Sequence, residues 1–65
     1  MSNTMKDFIL VDGKDRYIYT IKDGRHFVQP VVYSEKYGIE IAWSRKRISK
    51  DSYSVMYQKY CESNG

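Results

Sequence analysis

Three runs rich in β-branched and aromatic residues occupy the first half of the chain, and turn signals separate them. The runs cover residues 7–11, 16–21 and 26–33, and Ile, Val, Phe and Tyr are the residue types that β-strands favour. Asp12-Gly13 and Asp23-Gly24 lie between the runs. An Asp-Gly pair supplies the positive φ angles that a two-residue hairpin turn requires. The pattern therefore predicts two successive β-hairpins.

A fourth run, over residues 39–44, alternates apolar with small or polar side chains, which is typical of a half-buried strand. Gly38 and the polar residues 34–36 form the loop before it. Pro30 interrupts the third run, and because proline donates no backbone hydrogen bond, a regular central strand is not expected there. Either a β-bulge near Pro30 splits the third strand or that strand lies at an edge of the sheet, and we favour the bulge.

The last segment changes to a helical period. Its apolar side chains recur at i, i+3, i+4, i+7 and i+8, which is one face of a helix: Tyr53, Met56, Tyr57, Tyr60 and Cys61. Ser49 is suited to cap the N-terminus, with Ile48 and Tyr53 as a hydrophobic staple, and Asn64-Gly65 is suited to end the helix. We predict a helix over residues 49–62 and a loose tail over residues 1–6.

The element order is ββββα, which predicts an α+β fold: a four-stranded antiparallel β-meander over residues 7–44 with one C-terminal helix packed on one face. A chain of 65 residues is expected to form a single small domain, because one core is already marginal below roughly 70–80 residues. The longest apolar run covers residues 8–11, whereas a membrane span needs about 18 residues. No membrane association is predicted.

The two hairpin turns also predict which side chains share a face of the sheet. The expected cross-strand pairs are Leu10–Asp15 and Phe8–Tyr17 in the first hairpin, and Ile21–His26, Tyr19–Val28 and Ile18–Gln29 in the second. One face then carries Phe8, Leu10, Tyr17, Tyr19, Ile21 and Val28, and the other carries Ile9, Val11, Ile18, Phe27, Val31 and Tyr33.

Both predicted faces are substantially apolar, and one helix can cover only one of them. The other face is expected to leave a patch of large side chains in contact with water, and such patches mark interaction sites. The alternative is that one hairpin register is displaced by one residue, which would gather half of these side chains into a single core. We favour the interaction face.

Tyrosine is used heavily, with seven copies in the chain. Tyrosine is enriched at protein interfaces because it offers a large contact area and tolerates partial exposure. Tyr53, Tyr57 and Tyr60 are expected in the core beneath the helix. Tyr17, Tyr19, Tyr33 and Tyr37 are expected at the partner surface.

The net charge of +3 comes entirely from the last third of the chain. Residues 1–44 contain six basic and six acidic residues, whereas residues 45–65 contain five basic and two acidic ones. The connection between the last strand and the helix is expected to hold four of these five basic residues, shortly after Trp43: Arg45, Lys46, Arg47 and Lys50. Such a cluster can steer the chain to an acidic protein surface, or hold a nucleic-acid backbone while aromatic rings stack on bases, or remain solvated. We favour the acidic protein surface.

The sequence does not indicate catalysis. His26 and Cys61 are the single histidine and the single cysteine, and we expect them on a strand end and on the far end of the helix, where they form no dyad. A structural zinc site needs four such ligands. We therefore predict no enzyme, no metal and no cofactor. A lone cysteine and the lack of a signal-peptide pattern favour the cytoplasm.

These observations predict a non-catalytic binding protein that occupies an acidic surface on a protein partner, as small regulators and inhibitors do, including those that phages encode. The predicted contact residues are Tyr17, Tyr19, Tyr33, Tyr37, Trp43, Arg45, Lys46, Arg47 and Lys50. The alternative is a small DNA- or RNA-binding protein that uses Arg45–Lys50 and the neighbouring aromatic residues. A homodimer that closes over the spare sheet face is also open.

Overall fold

The computed structural model describes residues 5–64, which form one antiparallel sheet and one helix. The elements are β1 (Phe8–Asp12), β2 (Asp15–Lys22), β3 (Arg25–Ser34), β4 (Ile39–Ala42), β5 (Lys46–Ile48) and α1 (Lys50–Asn64). The sheet order is β1-β2-β3-β4, and β5 pairs with β3 beside β4. The predicted α+β class, the meander and the C-terminal helix are confirmed. Residues 1–4 of the expected tail and Gly65 of the expected helix stop lie outside the described residues.

The second hairpin forms as its Asp-Gly pair predicts. Asp23 and Gly24 have φ angles of 53° and 72°, which are the values of a type I′ turn. Ile21 is opposite His26, and the pairings Tyr19–Val28 and Ile18–Gln29 are also present. The predicted register of β2 and β3 is therefore confirmed.

The first hairpin turns one residue later than predicted. Gly13, with φ of 64°, is the first central residue of the turn, and Asp12 pairs with Asp15. The expected pairs Leu10–Asp15 and Phe8–Tyr17 are wrong; the observed pairs are Leu10–Tyr17 and Phe8–Tyr19. Because each partner moves by two residues, every side chain keeps its predicted face of the sheet.

Pro30 is accommodated by a bulge in the neighbouring strand. β3 pairs with β2 in unbroken register, so β3 is neither split nor at an edge, and the predicted bulge in the third strand is wrong. On the other side of β3, Val31 is opposite Ala42 and Val28 is opposite Lys46. Residues 29–30 therefore face the three residues 43–45, so the extra residue lies between β4 and β5.

Hydrogen bonds at this bulge explain why the proline is tolerated. The backbone N–H of Trp43 donates to the Pro30 carbonyl at 2.9 Å. Pro30 has no N–H to return to the Trp43 carbonyl, and the Gln29 side-chain amide donates to that carbonyl instead, at 3.0 Å.

The short strand β5 corrects a further expectation. The sequence predicts a connection without a strand over residues 45–50, whereas residues 46–48 pair with β3.

Helix α1 begins where the capping pattern predicts. The Ser52 backbone N–H donates to Ser49 Oγ at 3.1 Å, and the Tyr53 N–H donates to the Ser49 carbonyl at 3.0 Å, so Ser49 is the N-cap. The helix continues to Asn64, two residues beyond the predicted end. Cys61, expected on the apolar helix face, is exposed.

The core is a cluster of aromatic rings between α1 and one face of the sheet. Phe8 and Tyr19 stack with ring centroids 4.6 Å apart, and the fully buried Tyr53 meets both edge-on. The residues packed around these three are Met5, Leu10, Tyr17, Ile21, Val28, Ile48, Met56, Tyr57 and Tyr60. Tyr53, Tyr57 and Tyr60 thus occupy the core as predicted. Tyr53 Oη also donates to the Lys6 carbonyl at 2.6 Å, which attaches residues 5–6 to the core.

Candidate functional site

The sheet has a covered face and an open face. We call the face under α1 the helix face. The open face carries Ile9, Val11, Arg16, Ile18, Thr20, Lys22, Arg25, Phe27, Gln29, Val31, Tyr33, Glu40 and Arg47. Among the described residues there is no second helix or sheet to cover it. The predicted division of the apolar side chains between the two faces is therefore observed, and the one-residue displacement that would have produced a single core is not.

The apolar part of the open face lies on β1 and extends toward β3. Ile9 and Val11 are 49% and 69% exposed. Ile18 and Phe27 are partly buried, and Val31 is buried although no element lies above it. The ion pair between Arg16 and Glu40, at 2.9 Å, joins β2 to β4 across β3 on this face. Because Arg16 is the cross-strand neighbour of Val31, this ion pair accounts for part of the shielding of Val31.

Basic side chains collect at one end of the same face. Lys22 and Arg25 are opposite each other beside the second turn, and Arg47 is opposite Phe27. The Arg45 guanidinium lies over the Phe27 ring, 4.3 Å from its centroid, a cation–π contact that holds a positive charge above an apolar surface. We call Lys22, Arg25, Arg45 and Arg47 the basic patch.

The charges of the basic patch are not compensated within the described chain. The ion pairs among the described residues are Lys14–Glu35 and Arg16–Glu40, and neither includes a member of the patch. An open surface cavity of about 460 Å³ adjoins it, lined by Gly24, Arg25, His26, Arg47, Ile48, Ser49 and Lys50. The cavity brings Lys50, at the start of α1, next to the patch. This end of the molecule therefore presents a concentrated positive potential.

The nine predicted contact residues do not form one surface. Tyr19 is 6% exposed and belongs to the core beneath α1, and Tyr17 packs against that core. Tyr33 is on the open face beneath Lys14, and Tyr37 is exposed in the turn at residues 35–38. Lys46 is opposite Val28, which places it on the helix face.

The structure brings together Arg45, Arg47 and Lys50 from the predicted set and adds two residues that the sequence prediction missed. Lys22 and Arg25 flank the Asp23-Gly24 turn, so the hairpin register already makes them cross-strand neighbours. That signal was available in the sequence. The pairing of β5 with β3, which brings Arg47 to the same end, was not, because nothing in residues 46–48 indicates a strand.

Trp43 lies apart from the basic patch. It is 56% exposed and continues the register of β4, opposite Pro30, on the same face as Ile39 and Ile41. Ile39, Ile41 and Trp43 therefore lie on the helix face, but they are not part of the core cluster beneath α1.

The titratable groups indicate structural roles. Burial, followed by the nearby charge of Asp7 and then Tyr57, raises the pKa of Tyr53 to about 12, and burial and Tyr17 raise the pKa of Tyr19. His26 packs against the Tyr53 ring with centroids 5.0 Å apart. Cys61 is eight residues further along α1, which corresponds to about 12 Å of helix, so the two do not form a dyad.

Within residues 5–64, no group of three or more His, Cys, Asp and Glu side chains is arranged to hold a metal ion. The single described helix lacks the length and apolar character that crossing a membrane requires. Comparison with protein-family models, with curated proteins and with solved structures found no match for this chain.

Proposed function

We propose that this chain is a non-catalytic binding protein that docks its open face on an acidic surface of a protein partner, and acts there as a regulator or inhibitor. The observation that carries the proposal is the combination on one uncovered face of exposed apolar side chains, Ile9 and Val11, with the uncompensated basic patch. Apolar burial supplies affinity, and complementary charge supplies orientation and a faster encounter.

The same combination favours a protein over a nucleic acid as the partner. Adjacent strands are about 4.8 Å apart, so Ile9 on β1 and Arg47 on β5 are separated by roughly 14 Å across the sheet. A partner that spans this distance must bury aliphatic side chains at one edge and accept positive charge at the other. A phosphate backbone satisfies the second requirement but not the first. Binding to nucleic acid through the basic residues is therefore the competing outcome of the test.

The test compares charge reversal at two adjacent basic residues, Lys46 and Arg47. Arg47→Glu and Lys46→Glu make the same change of charge in neighbouring residues of β5, but Arg47 belongs to the open face and Lys46 to the helix face. We expect the immobilised wild-type chain to retain a protein from an extract of its native host, and the Lys46→Glu variant to retain the same protein. Arg47→Glu and Ile9→Ser should each reduce the retained amount more than about 10-fold, as loss of a side chain that carries much of the binding energy does.

Direct binding to labelled DNA and RNA completes the experiment. At about 50 mM salt, where phosphate contacts are strong, we expect no shift of either nucleic acid. Two results would overturn the proposal: a nucleic-acid shift that Arg47→Glu abolishes, or retention of the host protein that Lys46→Glu reduces as much as Arg47→Glu does. Circular dichroism of each variant confirms that the fold is retained.

A further inference from the structure

Strand β4 has an apolar side that the described chain does not cover. Its alternating pattern predicts a half-buried strand, yet Ile39, Ile41 and Trp43 are 54%, 43% and 56% exposed. All three are on the helix face, but α1 is 15 residues or about 22 Å long, whereas the molecule extends over 47 Å. The helix therefore covers one end of the sheet, and β4 lies at the other end.

The backbone edge of β4 is also free among the described residues. β4 is the last strand of the sheet order, with β3 on one side and no described strand on the other. Trp43 directs its N–H inward to Pro30. Because backbone polar groups in an antiparallel strand alternate in direction, Glu40 and Ala42 direct their N–H and C=O groups outward. An unpaired edge of this kind is a template for another strand.

We propose that a second copy of this chain pairs with this edge, so that β4 of each copy lies antiparallel to β4 of the other about a two-fold axis at Ile41. This inference does not depend on the proposed function, which concerns the open face. The dimer joins the two sheets edge to edge. Both helices then lie on one side of the combined sheet and both open faces lie on the other, because cross-strand partners share a face.

The side chains of β4 are self-complementary in this register. Ile41 meets Ile41 of the second copy, Ile39 meets Trp43, and Glu40 meets Ala42, so all three exposed apolar side chains of each copy gain an apolar partner. A shift of two positions in one direction would place Glu40 opposite its own copy, which like-charge repulsion disfavours. The opposite shift would place Ile39 opposite Arg45. The two-fold axis at Ile41 is therefore the register that the residues favour.

The two edge strands of the sheet, β4 and β1, differ in the charge they carry. Over residues 37–44 the single charged side chain is Glu40, which forms an ion pair with Arg16 at 2.9 Å and lies opposite Ala42 of the second copy in this register. β1 is bracketed by Asp7 and Asp12, neither of which has a basic partner within ion-pair distance among the described residues. Self-pairing of β1 would bring four carboxylates together, whereas self-pairing of β4 brings no uncompensated charge to the interface.

The patch is large enough for a dimer of modest affinity. Ile39, Ile41 and Trp43 together expose on the order of 300 Å² in each copy, within the size range of functional surface patches. Two copies together bring about 600 Å² of side-chain surface to the contact. With the backbone pairing added, this area is typical of a weak, transient interface, for which we expect a dissociation constant of about 10–100 μM.

Sedimentation equilibrium between about 1 μM and about 1 mM measures the assembly directly. We expect the mass to rise with concentration from the 7.7 kDa of one chain toward twice that value. Ile41→Lys should raise the dissociation constant more than about 10-fold. The matched control is Ile9→Lys, an isoleucine of similar exposure on the other edge strand, which should leave it within about 2-fold. A monomer at about 1 mM, or equal effects of the two variants, would overturn the proposal.

A backbone variant separates edge pairing from simple hydrophobic contact. Ala42→Pro removes an N–H that points away from β3, so it deletes hydrogen bonds between copies and none within the chain. We expect Ala42→Pro to abolish the dimer and Ala42→Thr, which keeps the N–H, to preserve it. Dimerisation of Ala42→Pro with wild-type affinity would show that β4 does not pair through its edge.

Disulfide trapping tests the register, in a Cys61→Ser background that removes the exposed native thiol. At the two-fold axis Ile41 and its copy form a non-hydrogen-bonded pair with Cα atoms about 4.5 Å apart, which a disulfide can bridge. Ile41→Cys should therefore oxidise to a covalent dimer. Ile39→Cys should not, because its two copies are about 13 Å apart along the strands. Faster cross-linking of Ile39→Cys than of Ile41→Cys would overturn the register.

Discussion

Thr20 carries a buried polar atom without a hydrogen-bond partner among the described residues. Its Oγ1 lies on the open face of β2, where its cross-strand neighbour is Phe27. A buried hydroxyl that has lost its bond to water without gaining another destabilises the folded state. The β-branched shape of threonine suits a strand, so the hydroxyl rather than the shape of the side chain is the unfavourable feature.

We predict that Thr20→Val raises the free energy of unfolding by about 1 kcal/mol. Valine keeps the branched shape and replaces the unpaired hydroxyl with a methyl group. Urea denaturation followed by circular dichroism measures the change. Thr20→Ser is the control, since it keeps the hydroxyl and removes a methyl group, and it should lower the free energy of unfolding. A Thr20→Val variant less stable than wild type would show that the hydroxyl has a favourable partner.

Individual residues also show where sequence reasoning about the candidate site ends. Tyr19 and Tyr33 are both strand tyrosines with the same local pattern, yet Tyr19 is buried in the core and Tyr33 is on the open face. Successive side chains of a strand alternate between the two faces of the sheet, and this alternation correctly predicted that Tyr19 and Tyr33 lie on different faces. Which face the helix covers depends on the path of the chain after β4, and no local pattern in the sequence determines that path.

At the scale of elements, the parts with local signals were predictable and the parts with tertiary causes were not. The second turn and the start of α1 follow from Asp23-Gly24 and Ser49, whose backbone preferences act within a few residues. β5 has no such signal, because Lys46 and Arg47 are not strand-forming residues by hydrophobic pattern. It becomes a strand because β4 pairs only with residues 31–34 of β3, which leaves the backbone of residues 26–28 available beyond the bulge at residues 43–45.

The N-cap of α1 provides a test at this scale. Ser49 Oγ accepts the Ser52 N–H at 3.1 Å, and without that bond an N–H of the first turn has no partner in the helix. We predict that Ser49→Ala lowers the free energy of unfolding by about 1 kcal/mol. Thermal denaturation measures the change, with Ser54→Ala as the control.

Ser54 is an exposed residue within α1 rather than at its end. Alanine is the better helix former at an interior position, so Ser54→Ala should leave the stability unchanged or slightly raised. Equal destabilisation by Ser49→Ala and Ser54→Ala would contradict a capping role for Ser49.

At the scale of the whole molecule, Tyr53 joins three parts of the chain. It projects from α1, its ring packs against Phe8 and Tyr19 in the sheet, and its Oη donates to the carbonyl of Lys6 before β1. Ionisation of this phenol would remove the hydrogen-bond donor and place a negative charge in the core close to Asp7. Burial, followed by the nearby Asp7 and then Tyr57, raises the pKa of Tyr53 to about 12.

This raised pKa predicts how the stability of the fold depends on alkaline pH. Below pH about 10, the ordinary pKa of tyrosine, the phenol is protonated in both the folded and the unfolded state, so the stabilisation is fully present. Above that value the unfolded chain loses the proton while the folded chain keeps it, which favours unfolding. The free energy of unfolding should therefore fall between pH about 10 and the folded-state value of about 12.

Urea denaturation at closely spaced pH values between about 8 and about 12 checks this prediction, with Tyr53→Phe as the comparison. The variant lacks the hydrogen bond to Lys6 and should be less stable at neutral pH by about 1 kcal/mol. It also lacks the titrating group, so its stability should fall less steeply above pH 10 than that of the wild type. The comparison uses the slope of the free energy of unfolding against pH. A loss of stability in Tyr53→Phe that is the same at every pH does not change this slope. Parallel curves for the two proteins would show that the Tyr53 phenol does not couple the fold to pH.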